Sequence, residues 1–252
     1  MTFQTPCIHR IHIGEPTGAL AIHHSIGMSI ECDALIDRLD KLNQYQAQQR
    51  EKSSIQLVTF DDGWADVISL APHFDAFKHL QPVLFLTSAQ CMGDQGLLPL
   101  PRLYEWQATK EKSRGVTAEL PINRFRLKLL PEEVQHTELD RLGVNKVNSS
   151  SQVLSTHQVH KLIDQGWLVG SHGADHHDLR QAGHQSLKRI LHKAYAALEI
   201  INGVPWLAWP EGRCNQRNCD VAASVGFELQ FSLGVESGSV QRKDLIHREI
   251  WK

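Results

Sequence analysis

Two carboxylates and two imidazoles stand at spacings that could hold a catalytic metal ion. Asp61 and Asp62 lie side by side before Gly63, and His172 and His176 are four residues apart. A catalytic zinc site takes three protein ligands and keeps one position open for water. Asp62, His172 and His176 could supply those ligands, which leaves Asp61 to act as general base. The set therefore predicts metal-dependent hydrolysis, in which the ion activates water and polarises the carbonyl under attack.

The general acid for such a reaction is sought among the histidines that follow apolar runs. His24 comes after Ala19–Ile22 and is the first candidate, and the neighbouring His23 is the alternative. An Asp-Asp-Gly string alone is a common turn, and the chain's 15 histidines make incidental pairs frequent. Because the acidic pair and the histidine pair both follow predicted strands and complete one ligand set, the combination favours a metal site.

Hydrophobic patterning predicts the elements that position these residues. Short apolar runs predict strands over 19–22, 55–60, 82–86, 167–170, 206–209 and 228–233. Apolar spacings of three and four predict helices over 31–49, 65–80, 155–165, 185–201 and 219–225. The alternation of strand and helix indicates a parallel α/β fold. In a barrel of such units, the polar residues that follow the strands share the face that carries active sites.

The chain is expected to form one catalytic domain over residues 1–252, interrupted by an insertion at about 93–150. The insertion mixes proline, charge and a polar stretch from Asn145 to Ser151, which predicts some helix followed by a flexible loop.

Composition narrows the partners that need considering. The 252 residues are 41% hydrophobic and carry a formal net charge of -2, which gives no reason to expect a nucleic-acid partner. No run reaches the roughly 18 apolar residues of a membrane span, and Met1–Gly14 lacks the basic-then-apolar pattern of a signal peptide. Five scattered cysteines indicate neither a disulfide framework nor a thiolate zinc site. We therefore expect a cytoplasmic protein, and the pattern predicts no particular oligomeric state.

At these residues the chain resembles the polysaccharide deacetylases with the NodB homology domain, carbohydrate esterase family four. Thr59–Gly63 matches the first motif of that family, in which the first Asp is the base and the second binds metal. The resemblance thus implies these roles for Asp61 and Asp62. The segment His172–Leu179 is similar to the second motif, which implies that His172 and His176 are metal ligands.

Two looser similarities add further residues. Ala208–Gly212 resembles the aromatic-Pro-x-Gly form of the third motif, although Ala208 stands where many relatives have an arginine. Residues 21–26 are similar to the N-terminal Tyr-His-Ser-Ile string of the exopolysaccharide N-deacetylase branch, which implies that His24 is the acid. The residues expected at the substrate groove are Trp64, Trp209, Pro210 and Gly212.

The resemblance covers about residues 19–250 and implies a distorted (β/α) barrel of the NodB type with a divalent metal, zinc being the first choice. It implies removal of an N-acetyl group from an amino sugar. The expected substrate is an amino-sugar saccharide or a carrier-linked saccharide, such as a precursor of O-antigen.

Three alternatives stay open. One is a deformylase acting on a lipid-linked formamido sugar, and another is a hydrolase of small linear or cyclic amides. The third is a degenerate, non-catalytic carbohydrate-binding protein, which the presence of Asp61 disfavours. An open trough rimmed by aromatic residues would favour a saccharide, whereas a cavity capped by the 93–150 insertion would favour a small amide.

Overall fold

The fold is a closed barrel of parallel strands surrounded by helices. The computed structural model describes residues 4–49, 55–94, 96–114, 119–144, 152–234, 240 and 242–252. In chain order, the barrel strands are β1 (Thr5–Ile8), β4 (Gln56–Phe60), β5 (Leu80–Leu86), β6 (Leu168–Ser171), β7 (Trp206–Ala208), β8 (Leu229–Leu233) and β9 (Leu245–Ile250). Each strand pairs with the next in parallel, and β9 pairs with β1 to close the ring. This is the distorted (β/α) barrel that the sequence predicts.

Helices cover the outside of the barrel. They are α1 (Gly18–Ser25), α2 (Cys32–Gln48), α3 (Ala71–Phe74), α4 (Ser88–Cys91), α8 (Thr156–Asp164), α9 (His184–Ile200) and α10 (Gln216–Val225). A small side sheet of β2 (Arg10–His12) and β3 (Ser29–Glu31) lies between β1 and α2 in the chain. Among the described residues, no helix is long and apolar enough to cross a membrane.

The strands alternate between the barrel interior and the helical layer because successive side chains point to opposite faces. Val83, Phe85, Ala208 and Phe231 form a buried cluster inside the barrel. The intervening residues pack instead with the helices in the main core, where α2 contributes Leu35, Leu39 and Leu42. This alternation decides which residues at the strand ends reach the interior.

The described residues of the segment predicted as an insertion include three helices with their own apolar cluster. They are α5 (Pro99–Arg114), α6 (Arg124–Lys128) and α7 (Glu132–Arg141). Their buried cluster consists of Leu103, Ile122, Leu127, Leu139 and Val144. The buried guanidinium of Arg102 ties α5 to α7 by binding Asp140 and the carbonyl of Val144. The polar loop predicted at 145–151 lies outside the described residues.

Several predicted elements match the structure closely, and two differ. The run 19–22 is helical rather than extended, because it belongs to α1, where the His23 ring binds the carbonyl of Ala19 one turn earlier. The predicted helix 65–80 begins as a 3-10 helix over Ala65–Leu70, ends with α3 at Phe74 and gives way to β5 at Leu80. Strands β1 and β9 were not predicted from the sequence.

Candidate metal centre

Three predicted ligands converge at the carboxyl end of the barrel. The Asp62 Oδ1 atom lies 3.4 Å from Nε2 of His172 and 3.1 Å from Nε2 of His176. The two imidazole rings meet at an interplanar angle of 63°, with centroids 4.7 Å apart. One donor atom from each residue therefore points at a common position.

The turn after β4 separates the two adjacent aspartates. Asp62 and Gly63 have φ values of 69° and 65°, so the chain reverses directly after Asp61. A Cβ atom at position 63 would lie 2.6 Å from Leu86 Cδ2, which explains the glycine. The Gln90 side-chain amide donates to the carbonyl of Asp62 at 2.6 Å and fixes the turn from α4. Asp61 and Asp62 therefore reach different surroundings.

The histidine pair is held by the end of β6 and by the neighbouring strand. The His172 Nδ1–H group donates to the carbonyl of Ala208, at the end of β7, over 3.0 Å. Because a carbonyl only accepts, this bond places the proton on Nδ1 and leaves the lone pair of Nε2 facing Asp62. Metal-bound histidines commonly have such a partner on the second ring nitrogen.

The donor set fits a zinc ion. Bonds of about 2.0–2.1 Å in a tetrahedral site place ligand atoms about 3.3 Å apart, close to the separations at Asp62 Oδ1. That oxygen is buried and has no hydrogen-bond partner, even though two imidazole nitrogens lie beside it. Burial alone would raise the pKa of Asp62, but His176 and His172 outweigh it and hold the pKa well below its usual value. The three residues thus present an ionised carboxylate and two imidazoles to one cation-sized position.

Both carboxylate oxygens of Asp61 are paired with an arginine. Arg248, on β9, contacts Oδ1 of Asp61 at 2.7 Å and Oδ2 at 2.8 Å. The Cys7 thiol also donates to Oδ2, over 3.4 Å. Burial would raise the pKa of Asp61, but the charge of Arg248 outweighs it and lowers the pKa. Asp61 is therefore an ionised, fixed carboxylate beside the candidate ligands.

A histidine that the sequence reasoning missed lies at the same end of the barrel. His9 directly follows β1, and its Nε2 atom is 4.0 Å from Oδ2 of Asp61. Its Nδ1 atom is buried without a hydrogen-bond partner, and burial lowers its pKa. Cys7, His9 and Asp61 also group as possible metal ligands. Because Arg248 contacts both oxygens of Asp61, a cation there would face a guanidinium group, so we assign no second ion.

A comparison with protein families gives a match over the region that contains the histidine pair. Residues 139–230, which include His172 and His176, match the family model described as polysaccharide deacetylase. This region of the chain is therefore similar to the polysaccharide deacetylases. A search of curated proteins gave no match.

Solved structures of deacetylases share the fold of this chain over almost its whole length. The Streptococcus pyogenes deacetylase PplD, in complex with acetate, has 14% identity and a TM-score of 0.59, with coverage of 99% of this chain and 92% of that one. IcaB from Ammonifex degensii has 15% identity and a TM-score of 0.59, covering 99% and 91%. A de-N-acetylase from Aggregatibacter actinomycetemcomitans has 14% identity and a TM-score of 0.58, covering 98% and 93%.

The structure does not bring His24 together with the other predicted site residues. Its imidazole is exposed on α1, 3.2 Å from the hydroxyl of Ser29 through Nδ1. His23 is instead buried and lines the pocket over the centre, with Nδ1 donating to the carbonyl of Ala19 at 2.8 Å. Because both residues lie on α1, His23 and His24 point to different sides of the helix. The sequence pattern predicts a strand that ends before His23, so it did not predict this difference.

The residues expected at the substrate groove separate into two groups. Gly212 lines the pocket, whereas Trp209 is fully buried and donates from Nε1 to Gln230 at 3.1 Å. Trp64 is 3% exposed and packs under the Arg10 guanidinium, 3.9 Å from its ring centroid. Pro210 is also buried. The pocket lining therefore does not include Trp64, Trp209 or Pro210, which are buried outside it.

The pocket above the centre has a volume of about 280 Å³ and is bounded by both the barrel and the segment 93–150. The barrel side presents His9, Asp61, Asp62, His172 and His176. The other side is formed by Leu98, Leu100, Pro101, Tyr104, Arg124, Phe125 and Lys128. Lys128 forms an ion pair with Glu211, which joins α6 to the chain just after β7. The helices of this segment thus act as one wall of the site.

Proposed function

We propose that this chain is a metal-dependent deacetylase that hydrolyses the N-acetyl group of an amino sugar. The convergence of Asp62, His172 and His176 beside a separately held Asp61 carries this proposal. The match of residues 139–230 to the polysaccharide deacetylase model supports deacetylation, and the donor set supports zinc as the ion. When bound, the ion would supply Lewis-acid activation of water and of the acyl carbonyl.

Asp61 is proposed as the general base. Its ion pair with Arg248 keeps it ionised and fixes both oxygens, so it can accept a proton from the attacking water without reorienting. Its position next to Asp62 places it within reach of the ligand cluster, since Oδ2 is 3.9 Å from Nε2 of His172. Arg248 does the positioning that an arginine at position 208 would otherwise do, from a different strand.

His9 is proposed as the group that protonates the leaving amine. Its Nε2 atom lies 4.0 Å from Oδ2 of Asp61 and it lines the pocket, whereas His24 lies outside the pocket. An acid must come within hydrogen-bond reach of the departing nitrogen, and the pocket offers that reach to His9. The role that the sequence assigned to His24 is therefore the weaker of two hypotheses, and the kinetics of His9 and His24 variants would decide between them.

The pocket supports a small, precursor-type substrate. A volume of about 280 Å³ bounded by α5 and α6 suits one sugar residue better than an extended polymer. A carrier-linked or nucleotide-linked precursor of a surface polysaccharide, such as an O-antigen, fits this shape. No disulfide links the five cysteines, all of which lie in the described residues, and this supports a cytoplasmic location.

Two other activities share the same chemistry. Removal of a formyl group needs the same base and ion, and the wall formed by the segment 93–150 also favours a small non-sugar amide. Deformylation differs from deacetylation in the acid that is released. Hydrolysis of a non-sugar amide differs in the amine that remains.

The test is incubation of the zinc-loaded protein with acetylated and formylated amino sugars, free and carrier-linked, and with small cyclic amides. Mass spectrometry would show a loss of acetyl from a sugar. The matched control is Asp61→Asn, which we expect to keep the metal and lose activity by about 10²–10⁴-fold. Loss of formyl alone, or turnover of cyclic amides alone, would replace the proposal, and full activity of Asp61→Asn would remove Asp61 from the mechanism.

A further inference from the structure

The pocket wall contains a guanidinium group that no carboxylate neutralises. Arg124 begins α6, is half-buried and lines the pocket. Its side chain interacts with the Tyr104 hydroxyl, and its Cζ atom lies 5.0 Å from the ring centroid of Phe125. Across the described ranges, Arg124 forms no ion pair with an Asp or Glu residue.

The other charged groups of the pocket are already matched. Arg248 is paired with Asp61, and Lys128 with Glu211. Asp62 faces the two imidazoles at the proposed metal position. A divalent cation at the proposed metal position would add positive charge to the pocket. Arg124 would then be a further positive charge with no negative partner among the described residues of the pocket wall. A partly buried charge of this kind is stabilised when a ligand brings the counter-charge.

We propose that Arg124 binds an oxyanion carried by the substrate, a phosphate or a carboxylate attached to the acylated sugar. This inference rests on the proposed function, since it specifies the substrate of the same site. Guanidinium groups recognise such oxyanions through two parallel hydrogen bonds, which fix orientation as well as adding affinity. Arg124 would thereby anchor the sugar while its acyl group points at the metal centre.

The neighbouring residues suit this role. Tyr104 and Phe125 contact Arg124 from two sides and limit its orientation towards the pocket. Phe125 is 58% exposed, so it leaves apolar surface beside the anion position for whatever is attached beyond the phosphate or carboxylate. Phosphate could come from a nucleoside diphosphate, a carrier lipid or a sugar phosphate, and carboxylate from a uronic acid.

Arg126 provides a matched control on the same helix. It is exposed, lies two residues from Arg124 and does not line the pocket. Replacement of either arginine by glutamine removes one positive charge from α6. Only the Arg124 change alters the pocket wall.

The experiment measures kcat and KM for zinc-loaded wild type, Arg124→Gln and Arg126→Gln. The probes are methyl N-acetylglucosaminide, N-acetylglucosamine 1-phosphate, UDP-N-acetylglucosamine, a prenyl-phosphate-linked N-acetylglucosamine and N-acetylglucosaminuronic acid. For at least one acidic probe, we expect Arg124→Gln to raise KM about tenfold or more. The KM of the neutral glycoside should change less than about twofold, and Arg126→Gln should affect neither class.

The outcomes separate this inference from the proposed function. The acidic probe with the largest Arg124-dependent change identifies the source of the oxyanion. Turnover with equal KM changes for acidic and neutral probes would overturn the inference and leave deacetylation standing. If no probe is turned over, the proposed function fails for these sugars, and calorimetric binding decides the inference. Acidic probes that bind wild type at least about tenfold more tightly than Arg124→Gln would uphold it, and equal binding would overturn it.

Discussion

Asp61 and Asp62 are neighbours in sequence but differ in their chemical environment. Asp61 continues the inward direction of β4 and meets Arg248, whereas the left-handed turn at Asp62 brings its carboxylate to the two imidazoles. Both carboxylates are ionised because nearby positive or hydrogen-bonding groups outweigh the effect of burial on their pKa values. One turn of the backbone therefore gives Asp61 and Asp62 the different surroundings that their proposed roles as base and ligand require.

The choice between His9 and His24 as acid can be tested with two single variants. His9→Gln should lower kcat by about 10²-fold or more, since a positioned acid typically contributes 10²–10⁴-fold. His24→Gln should leave kcat within about twofold, because His24 is exposed and lies outside the pocket. Steady-state kinetics and zinc content should be measured for both variants.

If His24→Gln lowers kcat and His9→Gln does not, His24 is the acid and His9 is not. Loss of zinc from His9→Gln would instead indicate a structural effect on the centre.

The spacing of chemical groups was enough to predict the ligand cluster but not its surroundings. Asp62, His172 and His176 follow strands that patterning identified, so their convergence followed from a parallel barrel. Arg248 could not be predicted in this way, because its partner Asp61 is 187 residues away and the sequence of β9, LIHREI, lacks the alternation of polar and apolar residues that marks a strand. His9 follows a four-residue strand, too short for its periodicity to be recognised.

At the level of elements, the turn between β4 and the following 3-10 helix is the tightest constraint on the site. Replacement of Gly63 by alanine would force a Cβ atom to 2.6 Å from Leu86 Cδ2, in a backbone conformation with φ of 65°. We expect Gly63→Ala to destabilise the protein by about 1–3 kcal/mol and to weaken zinc binding, since strain of this kind acts directly on Asp62. Urea unfolding and zinc titration would measure both effects.

Gly183→Ala is the matched control for this change. Gly183 precedes α9 with φ of -63°, and an added Cβ would meet no atom within 4 Å. Because Gly183 is the N-cap of α9, its replacement by alanine should cost at most about 1 kcal/mol and should leave zinc binding unchanged. Equal losses in the two variants would show that the turn after β4 tolerates a side chain.

Elements with regular patterns were predicted well, and those shaped by tertiary contacts were not. The helices α2, α8 and α9 combine an apolar stripe with clear ends, and α8 has a capping box of Ser155 and Gln158. The run 19–22 is apolar on every residue, so its sequence alone does not distinguish strand from helix. The segment 93–150 was predicted to be partly helical, but its role as a pocket wall depends on contacts that only the fold creates.

At the scale of the whole molecule, the candidate metal centre joins separate parts of the barrel. Its proposed ligands follow β4 and β6, so a bound ion should stabilise the folded state relative to the unfolded chain. We expect removal of zinc by a chelator to lower Tm by about 10 °C, which corresponds to about 4 kcal/mol at 1,000 times Kd. Differential scanning calorimetry with and without added zinc would measure the shift.

The zinc-dependent shift should disappear in His172→Ala and persist in His192→Ala, an exposed position on α9. An undiminished shift in His172→Ala would contradict the ligand assignment, whatever the absolute Tm of that variant.

Stability should also depend on pH through the buried His23. Burial lowers the pKa of His23 from its ordinary value of 6.5 to about 4. The unfolded chain therefore binds a proton below pH 6.5 that the folded state does not, so the stabilisation is present above 6.5 and falls away towards pH 4. Between about pH 7.5 and 4.5, metal-free wild type should lose about 2–3 kcal/mol more unfolding free energy than His23→Gln.

Urea denaturation across this pH range, with chelator present throughout, would measure the difference. Parallel curves for the two proteins would show that His23 is protonated equally well in the folded state.

Closure of the barrel has a consequence for synthesis. Asp61 is translated long before Arg248, so a nascent chain on the ribosome carries the acidic residue without the cation that orients it. Until β9 pairs with β1, Asp61 lacks the guanidinium group that contacts both of its oxygens. Catalytic competence should accordingly arise only after residues 245–250 have left the exit tunnel, and prematurely terminated chains should be inert.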